Sequence, residues 1–417
     1  MVGWLSFIIL TFFAIVFIAL ISAKLYSPFW FHQPVYHIYE IYPRIRWSRA
    51  PYIKKTRPPR LGIYCTPNTI LTDEVNNDEN QIKRFIDLLQ GHYLDNDTNL
   101  YHHTETSLRK VLTNGSYISG YYETELIGPT FHKELNTSTV YGMIASRPVD
   151  LFFRKFPVQN LAVHYLDFIC VHGKYKKNQS TVSRNLIQTH VYNHHHKMSE
   201  FSGVYLFKKE INLCKGIVPL LQTTAYTFML RKTALNRLPV NYSIKCLNNK
   251  SSVDVWRVLY AQIIEQFEIC SMPSFPITVE WLSNERYIVY ISVYKEKKQE
   301  KIHGLYVFED TQVSYETDMK NPNMLRLAAS MVFGNSHDNH PYSDLYFFRG
   351  FVHSLKALVQ DRKKYGVLEI PNISDNGYIL ERWREKYELR NETQIGYYLY
   401  NMVYPNMPIR PEQFFSL

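Results

Sequence analysis

The chain has 417 residues, which is longer than one ordinary hydrophobic core requires and predicts two or three domains. Hydrophobic residues make up 46% of it and charged residues 20%, a composition that folds and that excludes a largely disordered protein. The formal net charge of +10 is compatible with nucleic acid, an anionic membrane surface or a polyanionic small molecule as a partner.

The cysteine pattern and the absence of several sequence motifs reduce the number of possible functional classes. The five cysteines are odd in number and irregularly spaced, which favours a reducing compartment over a disulfide-bonded secreted fold: Cys65, Cys170, Cys214, Cys246 and Cys270. The sequence has no zinc-ligand spacing, helix-turn-helix pattern or paired aromatic RNA-binding signature, so we expect no nucleic acid partner. It also lacks the GxSxG and GxxxxGK[ST] motifs of hydrolases and nucleotide triphosphatases.

The N-terminal segment is apolar. From Gly3 to Ala23 it has no charged residue, and a helix needs about 20 apolar residues to cross the hydrocarbon core of a bilayer. Basic residues follow between Lys24 and Arg60, and the positive-inside rule places such a segment in the cytosol. We therefore expect a single-pass membrane protein with a transmembrane anchor in residues 1–24 and a body that faces the cytosol. The basic stretch is interpreted either as a contact with anionic membrane lipid or as a solvated linker.

The rest of the chain mixes helical and strand patterns. Residues 45–80 are rich in proline, asparagine and charge, and are interpreted as a linker or surface loop. Apolar periodicity predicts helices over Gln81–Gln90, Val182–His196, Val253–Phe267 and Asp344–Gln360. Apolar runs predict strands over Val140–Ala145, Leu161–Val171, Tyr287–Tyr294, His303–Phe308 and Gly396–Val403. This mixture predicts an α+β protein.

One predicted helix is notable at both ends. A strand, a turn rich in lysine and serine, and then a helix form the unit that holds a phosphate at a helix N-terminus. At the other end, His194, His195 and His196 are consecutive, and consecutive helix residues point in different directions. We therefore expect a surface helix end there and no metal site.

Four stretches in fixed order carry a family resemblance. They are the FWFHQPV sequence of Phe29–Val35, the LLQGHYLDNDTNLY sequence of Leu88–Tyr101, the DFICVH sequence of Asp167–His172 and the YYLYNMVYPNM sequence of Tyr397–Met407. Together with the ten residues that follow Met407, they resemble glycylpeptide N-tetradecanoyltransferase, the N-myristoyltransferase family, over residues 29–417.

The resemblance implies a fold and a division of the chain. The expected fold has two acetyltransferase-like (GNAT-like) halves that form one N-myristoyltransferase-type unit after the transmembrane helix. Residues 25–80 would form an acyl-CoA-proximal segment with the basic linker, residues 81–235 the acyl-CoA-binding half, and residues 236–417 the half with the peptide groove.

The resemblance also implies a reaction, in which a myristoyl group passes from myristoyl-CoA directly to the amine of an N-terminal glycine. The main-chain N–H groups of Phe168 and Ile169 would stabilise the oxyanion, and the carboxylate of Leu417 would be the base. The Cys170 thiol would not be a nucleophile, because the family forms no acyl-enzyme. From composition alone, the FICV run is an ordinary buried strand and a chain end is usually frayed.

The resemblance implies two sets of binding residues and no metal. Those expected to bind myristoyl-CoA are Phe29, Trp30, Lys174, Lys176, Lys177, Asn178, Gln179, Ser180 and Thr181. Ser180 and Thr181 are also candidates to cap the helix. Those expected to line the groove for glycine peptides and proteins are Tyr93, Asp97, Tyr101, His103, Tyr226 and Asn372.

The sequence departs from the family at several groove positions, and this leaves alternatives open. Glu388–Glu392 replaces a glycine-rich turn, and Asn372 stands where the family has an aspartate. A catalytically inactive member of the same fold, binding acyl-CoA or a protein partner at a membrane, is therefore a second hypothesis. An acyltransferase with another chain length or another amine is a third.

Overall fold

The computed structural model describes residues 2–26, 28–40, 50–55, 59–75, 79–93, 99–101, 104–122, 140–156, 160–198, 202–210, 214, 216–230, 237–248, 252–296, 299–315, 322–333, 343–362, 364–405 and 407–417. Its helices are α1 (Val2–Tyr26), α2 (Pro28–His32), α3 (Glu79–His92), α4 (Glu105–Val111), α5 (Gln179–Lys197), α6 (Val253–Gln266), α7 (Phe275–Ser283), α8 (Ser343–Asp361) and α9 (Asn376–Arg384). Its strands are β1 (Tyr52–Ile53), β2 (Ile70–Glu74), β3 (Asn99–Tyr101), β4 (Tyr117–Tyr122), β5 (Val140–Phe153), β6 (Asn160–Val171), β7 (Tyr205–Glu210), β8 (Leu221–Met229), β9 (Tyr242–Cys246), β10 (Ile269–Met272), β11 (Tyr287–Glu296), β12 (Gln299–Tyr315), β13 (Asn323–Val332), β14 (Tyr365–Pro371), β15 (Leu389–Tyr400), β16 (Met402–Val403) and β17 (Phe414–Ser416). Short 3₁₀ turns occupy Gly173–Asn178 and Pro411–Gln413.

Most strands belong to one large sheet. In the described part of the chain it has 15 strands, whose main order is β17-β10-β5-β6-β7-β15-β8-β14-β13-β12-β11-β9. Strand β4 joins β5 to β2, and β3 pairs with β12. Pairing is mostly antiparallel, with parallel pairs at β6–β7, β13–β14 and β10–β17. Helices on the faces of this mixed sheet confirm the predicted α+β class.

Helix α5 covers one face of the first half of the sheet. Val182, Leu186, His190 and His194 are spaced four residues apart, so they share one side of the helix, and all four are buried. This side packs against β2, β4, β5 and β6. The prediction of a surface helix end is therefore wrong for His194, and also for His195, because the buried stripe runs to the end of the helix.

Three buried histidines form part of a polar network beneath α5. The Nε2 of His190 lies 2.8 Å from the hydroxyl of Ser146, which is also 3.3 Å from Nδ1 of His164. The Nδ1 of His194 lies 2.7 Å from the hydroxyl of Tyr205. Burial lowers the pKa of His190 to about 3, and burial with the charge of His190 lowers the pKa of His164 to about 3. Burial and the neighbouring histidines also lower the pKa of His194, so all three are neutral near pH 7.

The second half of the sheet has helices over different parts of its surface. Helices α8 and α9 pack onto it with Phe347, Phe351 and Trp383 in one buried cluster. Helices α6 and α7 enclose a separate cluster that includes Trp256 and Trp281. Strand β15 lies between β7 and β8, while β10 and β17 continue the sheet beyond β5. Strands from the end of the chain therefore lie beside strands from its first half, and the expected boundary at residue 235 stays a prediction.

The apolar N-terminal segment forms helix α1, with exposed side chains such as Phe7 and Leu10. Over the residues that the structure describes, no helix has the length and apolarity that crossing a membrane requires. The expectation of a single-pass membrane protein with its body in the cytosol is therefore wrong. Freedom from charge over Gly3–Ala23 was the basis of that expectation, and it only just reached the length that a crossing needs.

The interpretation of residues 45–80 as a loop is wrong for β2. This strand pairs antiparallel with β4, and Ile70 and Thr72 are buried on its inner face. The hydroxyl of Thr72 lies 2.6 Å from that of Ser119 on β4. Three polar residues in a five-residue strand concealed the alternation, because the buried threonine is satisfied by a hydroxyl partner and not by apolar packing.

Candidate active site

Strand β6 lies between β5 and β7, but it pairs with β7 over only part of its length. It pairs antiparallel with β5 along most of its length. Its parallel pairing with β7 covers only His164–Leu166, opposite Tyr205–Phe207. Among the residues with described positions, the two parallel strands thus separate after Leu166, and the rest of β6 borders a gap. A ligand in such a gap can reach the main-chain groups of β6 directly.

The predicted oxyanion residues lie where the strands separate. The register of β5 against β6 shifts immediately after Leu166, so that Asp167 and Phe168 share one position of β5. This is a β-bulge, a feature that redirects a strand and its main-chain groups. Ile169 follows the bulge and pairs with Ile144.

The direction of the Ile169 N–H follows from its neighbour. The N–H of His172, just beyond the strand, donates to the carbonyl oxygen of Tyr141 on β5 at 2.9 Å. Because N–H groups alternate along a strand, Ile169, three residues earlier, directs its N–H away from β5. That direction is toward the gap left by β7.

The side chains of Phe168 and Ile169 lie on opposite faces of the sheet. Phe168 is buried in a cluster with Phe85, and its ring centre is 5.7 Å from that of Tyr93. Ile169 packs in a different cluster with Trp30 and α5. The structure thus places one expected acyl-CoA residue on one face of β6 and one expected peptide residue on the other.

Helix α2 holds the first acyl-CoA candidates. Phe29 is buried, and its ring packs edge-on against Trp30 and Tyr64 at 4.9 and 5.2 Å. Trp30 stacks on Phe207 of β7, with 5.5 Å between ring centres and 4° between planes. The carbonyl oxygen of Trp30 lies 2.8 Å from Nε2 of His37. These contacts fix the Trp30 indole beside β7, the strand that separates from β6 after Leu166.

The remaining acyl-CoA candidates lie on the turn between β6 and α5 and in the first turn of α5. All seven are exposed: Lys174, Lys176, Lys177, Asn178, Gln179, Ser180 and Thr181. The residue before the first turn of α5 is Asn178, so Ser180 and Thr181 lie inside the helix and do not occupy the capping position. His172 begins the 3₁₀ turn, with Nδ1 accepting from the N–H of Lys174 at 3.1 Å. The predicted order of strand, basic turn and helix is confirmed.

Leu417 is enclosed by the sheet. Strand β17 pairs parallel with β10, which pairs with β5. The N–H of Leu417 donates to the carbonyl oxygen of Ser271 at 3.0 Å, and the residue is only 7% exposed in a cluster with Trp281. A main-chain oxygen of Leu417 accepts from Nη2 of Arg147 at 3.5 Å. This position contrasts with the frayed end that composition alone suggested.

Arg147 was not anticipated from the sequence. It lies on β5, is 4% exposed, and donates through Nε to Oδ2 of Asp167 at 2.7 Å. Burial opposes its charge, but the attraction of Asp167 and of neighbouring tyrosines raises its pKa, so the guanidinium stays charged. A single arginine therefore contacts both Leu417 and the residue that precedes Phe168.

The expected peptide residues are only partly brought together. Tyr93 lies beside Phe168, and burial with the charge of Asp167 raises the pKa of its hydroxyl. Tyr101 lies in β3, paired with Val313 of β12. Asp97 and His103 lie outside the described residues.

The last two peptide candidates lie further along the sheet. The guanidinium carbon of Arg384 lies 4.7 Å from the ring centre of Tyr226, which packs with the cluster beneath α8 and α9. Asn372 follows the last residue of β14, and its carbonyl oxygen accepts from the hydroxyl of Thr223 at 2.7 Å. Among the described residues no contact joins either Tyr226 or Asn372 to Phe168, and their role stays a prediction.

A charged group in the middle of the sheet was also missed. Arg326 on β13 donates to Glu369 at 2.8 Å and to Glu309 at 3.0 Å. Lys208 on β7 lies near this group; burial, followed by the charge of Arg326, lowers its pKa to about 8, although Glu369, Glu309 and Asp167 favour its charged form. These residues come from four separate strands, β7, β12, β13 and β14, and only the register of the sheet brings them together.

Comparisons with known proteins bear on the fold. No protein-family model matches the sequence, and no curated protein does. Three structures of Saccharomyces cerevisiae N-myristoyltransferase match, each 14% identical to this chain. One with bound myristoyl-CoA has a TM-score of 0.63 and covers 92% of this chain and 93% of its own. A second, with bound myristoyl-CoA, has a TM-score of 0.64 and covers 92% and 88%.

The third structure, with bound myristoyl-CoA and inhibitors, has a TM-score of 0.64 and covers 94% of this chain and 93% of its own. The chain therefore has the GNAT-like fold of N-myristoyltransferase, and that part of the expectation is confirmed. Because identity is so low, the match establishes the fold and leaves the activity to be argued from the site.

Proposed function

We propose that the protein is an N-acyltransferase that moves a myristoyl group from myristoyl-CoA to the N-terminal glycine amine of acceptor proteins. The observation that carries this proposal is the arrangement around Asp167–Ile169. A bulged main chain borders the gap between two parallel strands, and one guanidinium contacts both Asp167 and Leu417. The shared fold supports acyl-CoA as the donor, because the matching yeast structures hold myristoyl-CoA.

The acyl donor fits the face of β6 that carries Ile169. Trp30 and α5 pack on that face, and the exposed lysines of the turn precede the α5 N-terminus. A helix N-terminus with nearby ammonium groups favours phosphate oxygens, since its first N–H groups and its dipole attract negative charge. Phe29, Trp30 and the turn from Lys174 to Thr181 are therefore proposed to hold the acyl-CoA.

The main chain at the bulge would stabilise the developing charge. When the acceptor nitrogen bonds to the thioester carbon, negative charge moves onto the carbonyl oxygen. The N–H of Ile169, which is directed toward the gap, is proposed to donate to that oxygen, since a fixed main-chain donor needs no reorganisation and no protonation. By the same alternation the N–H of Phe168 faces β5, so its expected role as a second donor stays a prediction. Collapse of the intermediate breaks the C–S bond and releases the coenzyme A thiolate, which takes up a proton.

The acceptor amine must lose a proton, because a free α-amine has a pKa of about 8. The carboxylate of Leu417 is proposed to accept that proton. Its burial and its contact with Arg147 support this role, because a general base must be held within hydrogen-bond reach of the reacting nitrogen. Tyr93, on the opposite face of β6 from Trp30, is proposed to line the acceptor side, with Asp97, Tyr101, His103, Tyr226 and Asn372 further along the groove.

The donor part of the proposal is tested by myristoyl-CoA binding. Replacing Lys174 and Lys177 together by alanine should raise the Kd for myristoyl-CoA about tenfold, because two exposed charge contacts together contribute about 1.4 kcal/mol. Titration calorimetry at two salt concentrations measures this change.

Lys197→Ala is the matched control for that titration. Lys197 lies at the opposite end of α5, where it pairs with Asp73, and its replacement should leave the Kd unchanged. Equal Kd values for the double variant and the control would remove the turn from the donor site. Tight binding without transfer to any glycine peptide would favour the second hypothesis, a binding protein of the same fold.

A further inference from the structure

Arg147 has an unusual set of contacts for a buried charge. Its guanidinium carbon lies 4.9 Å from the ring centre of Tyr165 and 5.0 Å from that of Trp281. Nε bonds closely to Asp167 at 2.7 Å, whereas Nη2 reaches Leu417 at only 3.5 Å. The third nitrogen, Nη1, is buried and has no hydrogen-bond partner among the described residues.

These contacts fix the guanidinium and leave its Nη1 without a partner among the described residues. The ring faces and the Asp167 bond set the plane of the group, so the direction of Nη2 is fixed as well. A buried nitrogen without a partner costs free energy, which a purely structural arginine would avoid. The arrangement keeps a cation next to Leu417 without forming a short, closed ion pair with it.

The unequal contacts of Arg147 with Asp167 and Leu417 have a chemical consequence. A guanidinium in close contact with a carboxylate lowers its pKa and weakens it as a base. Here Asp167 takes the short hydrogen bond, so the Leu417 carboxylate is attracted at longer range and keeps an oxygen able to accept a proton. Without Arg147, the same carboxylate would be buried without a compensating charge, and the tail would tend to leave the cluster.

We propose that Arg147 and Asp167 are a positioning pair for the Leu417 carboxylate. Arg147 holds the carboxylate beside the bulge that precedes Ile169, and Asp167 prevents Arg147 from neutralising it. This inference rests on the proposed acyl transfer, in which Leu417 is the base. Neither residue needs to contact the acyl donor.

The test combines tail accessibility with kinetics. Release of Leu417 by a carboxypeptidase, followed by mass spectrometry, measures whether the tail stays bound, and kcat and KM are measured for myristoyl-CoA and a glycine peptide. Arg147→Gln should release Leu417 at least ten times faster than the unmodified protein. Arg147→Lys keeps the charge but cannot reach both partners, so it should release Leu417 at an intermediate rate. This variant keeps the test informative if Arg147→Gln does not fold.

Arg286→Gln is the matched control. The guanidinium of Arg286 lies 4.8 Å from the same Trp281 ring, but its ion pair is with Glu309. It should leave the release of Leu417 within twofold of the unmodified protein. Protection of the tail in both Arg147 variants, or equal exposure in the Arg286 variant, would overturn the positioning role of Arg147.

Variants of Asp167 distinguish a positioning role from a purely structural one. Asp167→Asn should lower kcat about tenfold with an unchanged KM for myristoyl-CoA and no faster tail release, because Arg147 then pairs more fully with Leu417. Asp167→Glu, which keeps the charge, should restore kcat to within threefold. An unchanged kcat in Asp167→Asn would overturn the role of Asp167. Tail release that depends on Arg147 in a protein without any transfer activity would refute the proposed function and leave the tail contact standing.

Discussion

A short Gly-Ser-Gly extension after Leu417 should lower kcat for peptide acylation at least a hundredfold. The extension converts the Leu417 carboxylate into an amide, which cannot accept a proton, and a positioned general base contributes about 10²–10⁴ to the rate. The added residues must also leave a buried position, because Leu417 is 7% exposed and its N–H donates to the carbonyl oxygen of Ser271. Single-turnover acylation with saturating myristoyl-CoA measures the chemical step.

Binding of the donor provides the control for that extension. The expected acyl-CoA residues lie on α2 and on the turn before α5, away from β17, so the Kd for myristoyl-CoA should change less than twofold. The same extension placed before Met1 should have no effect on kcat. Full activity of the C-terminally extended protein would exclude the Leu417 carboxylate as the base.

Acidification from pH 7 to pH 5 should strongly destabilise the folded protein. The pKa values of His164 and His190 are about 3 in the folded protein, and that of His194 is lowered as well, whereas an unfolded histidine titrates near pH ~6.5. Stability is therefore fully present above that pH and falls as the unfolded chain takes up protons that the folded one does not. Below the unfolded pKa, each histidine lowers the free energy of unfolding by about 1.4 kcal/mol per pH unit, so three lower it by about 4 kcal/mol per unit. This is a large part of the roughly 5–15 kcal/mol by which a typical protein is stable.

Urea unfolding at pH 7, 6 and 5 measures this dependence. His190→Gln should reduce the slope of unfolding free energy against pH by about a third, whatever its effect on stability at pH 7. His196→Gln is the control, because His196 is exposed on the same helix and should leave the slope unchanged. A stability that stays level from pH 7 to pH 5, or equal slopes in the two variants, would contradict this account of the buried network.

The parts of the fold that the sequence predicted are those with local patterns. Helix α5 and strand β6 were predicted nearly to their ends because apolar periodicity is visible within each segment. The motif resemblance added what no local pattern contains, namely that Asp167–His172 and Leu417 belong to one site. The structure brings these two segments together through Arg147.

The parts that were missed depend on tertiary context. His190 and His194 continue the four-residue spacing of Val182 and Leu186, so their burial could have been inferred by treating neutral histidine as a possible core residue. Arg326 has no comparable signal, because its partners Glu309 and Glu369 come from other strands. For α1, freedom from charge was taken as evidence of a crossing, but no helix in the described part of the chain has the length and apolarity that a crossing requires.

The structure adds a physical role for the first residue of the DFICVH sequence. The aspartate at position 167 was noted as part of the DFICVH motif, but its consequence was not visible without Arg147. A carboxylate at the start of this motif is matched by a guanidinium on the neighbouring strand. The guanidinium that binds this carboxylate is the one that also contacts Leu417.

The central claim is acyl transfer to a glycine amine, and the most direct measurement follows product formation by the protein itself. Residues 1–417 are incubated with myristoyl-CoA and a panel of peptides that begin with glycine, and free coenzyme A and peptide mass are recorded together. The account predicts peptide-dependent release of coenzyme A, with the acyl group on the glycine nitrogen and no acylated protein accumulating. Saturable binding of myristoyl-CoA with no acylated peptide anywhere in the panel would contradict it.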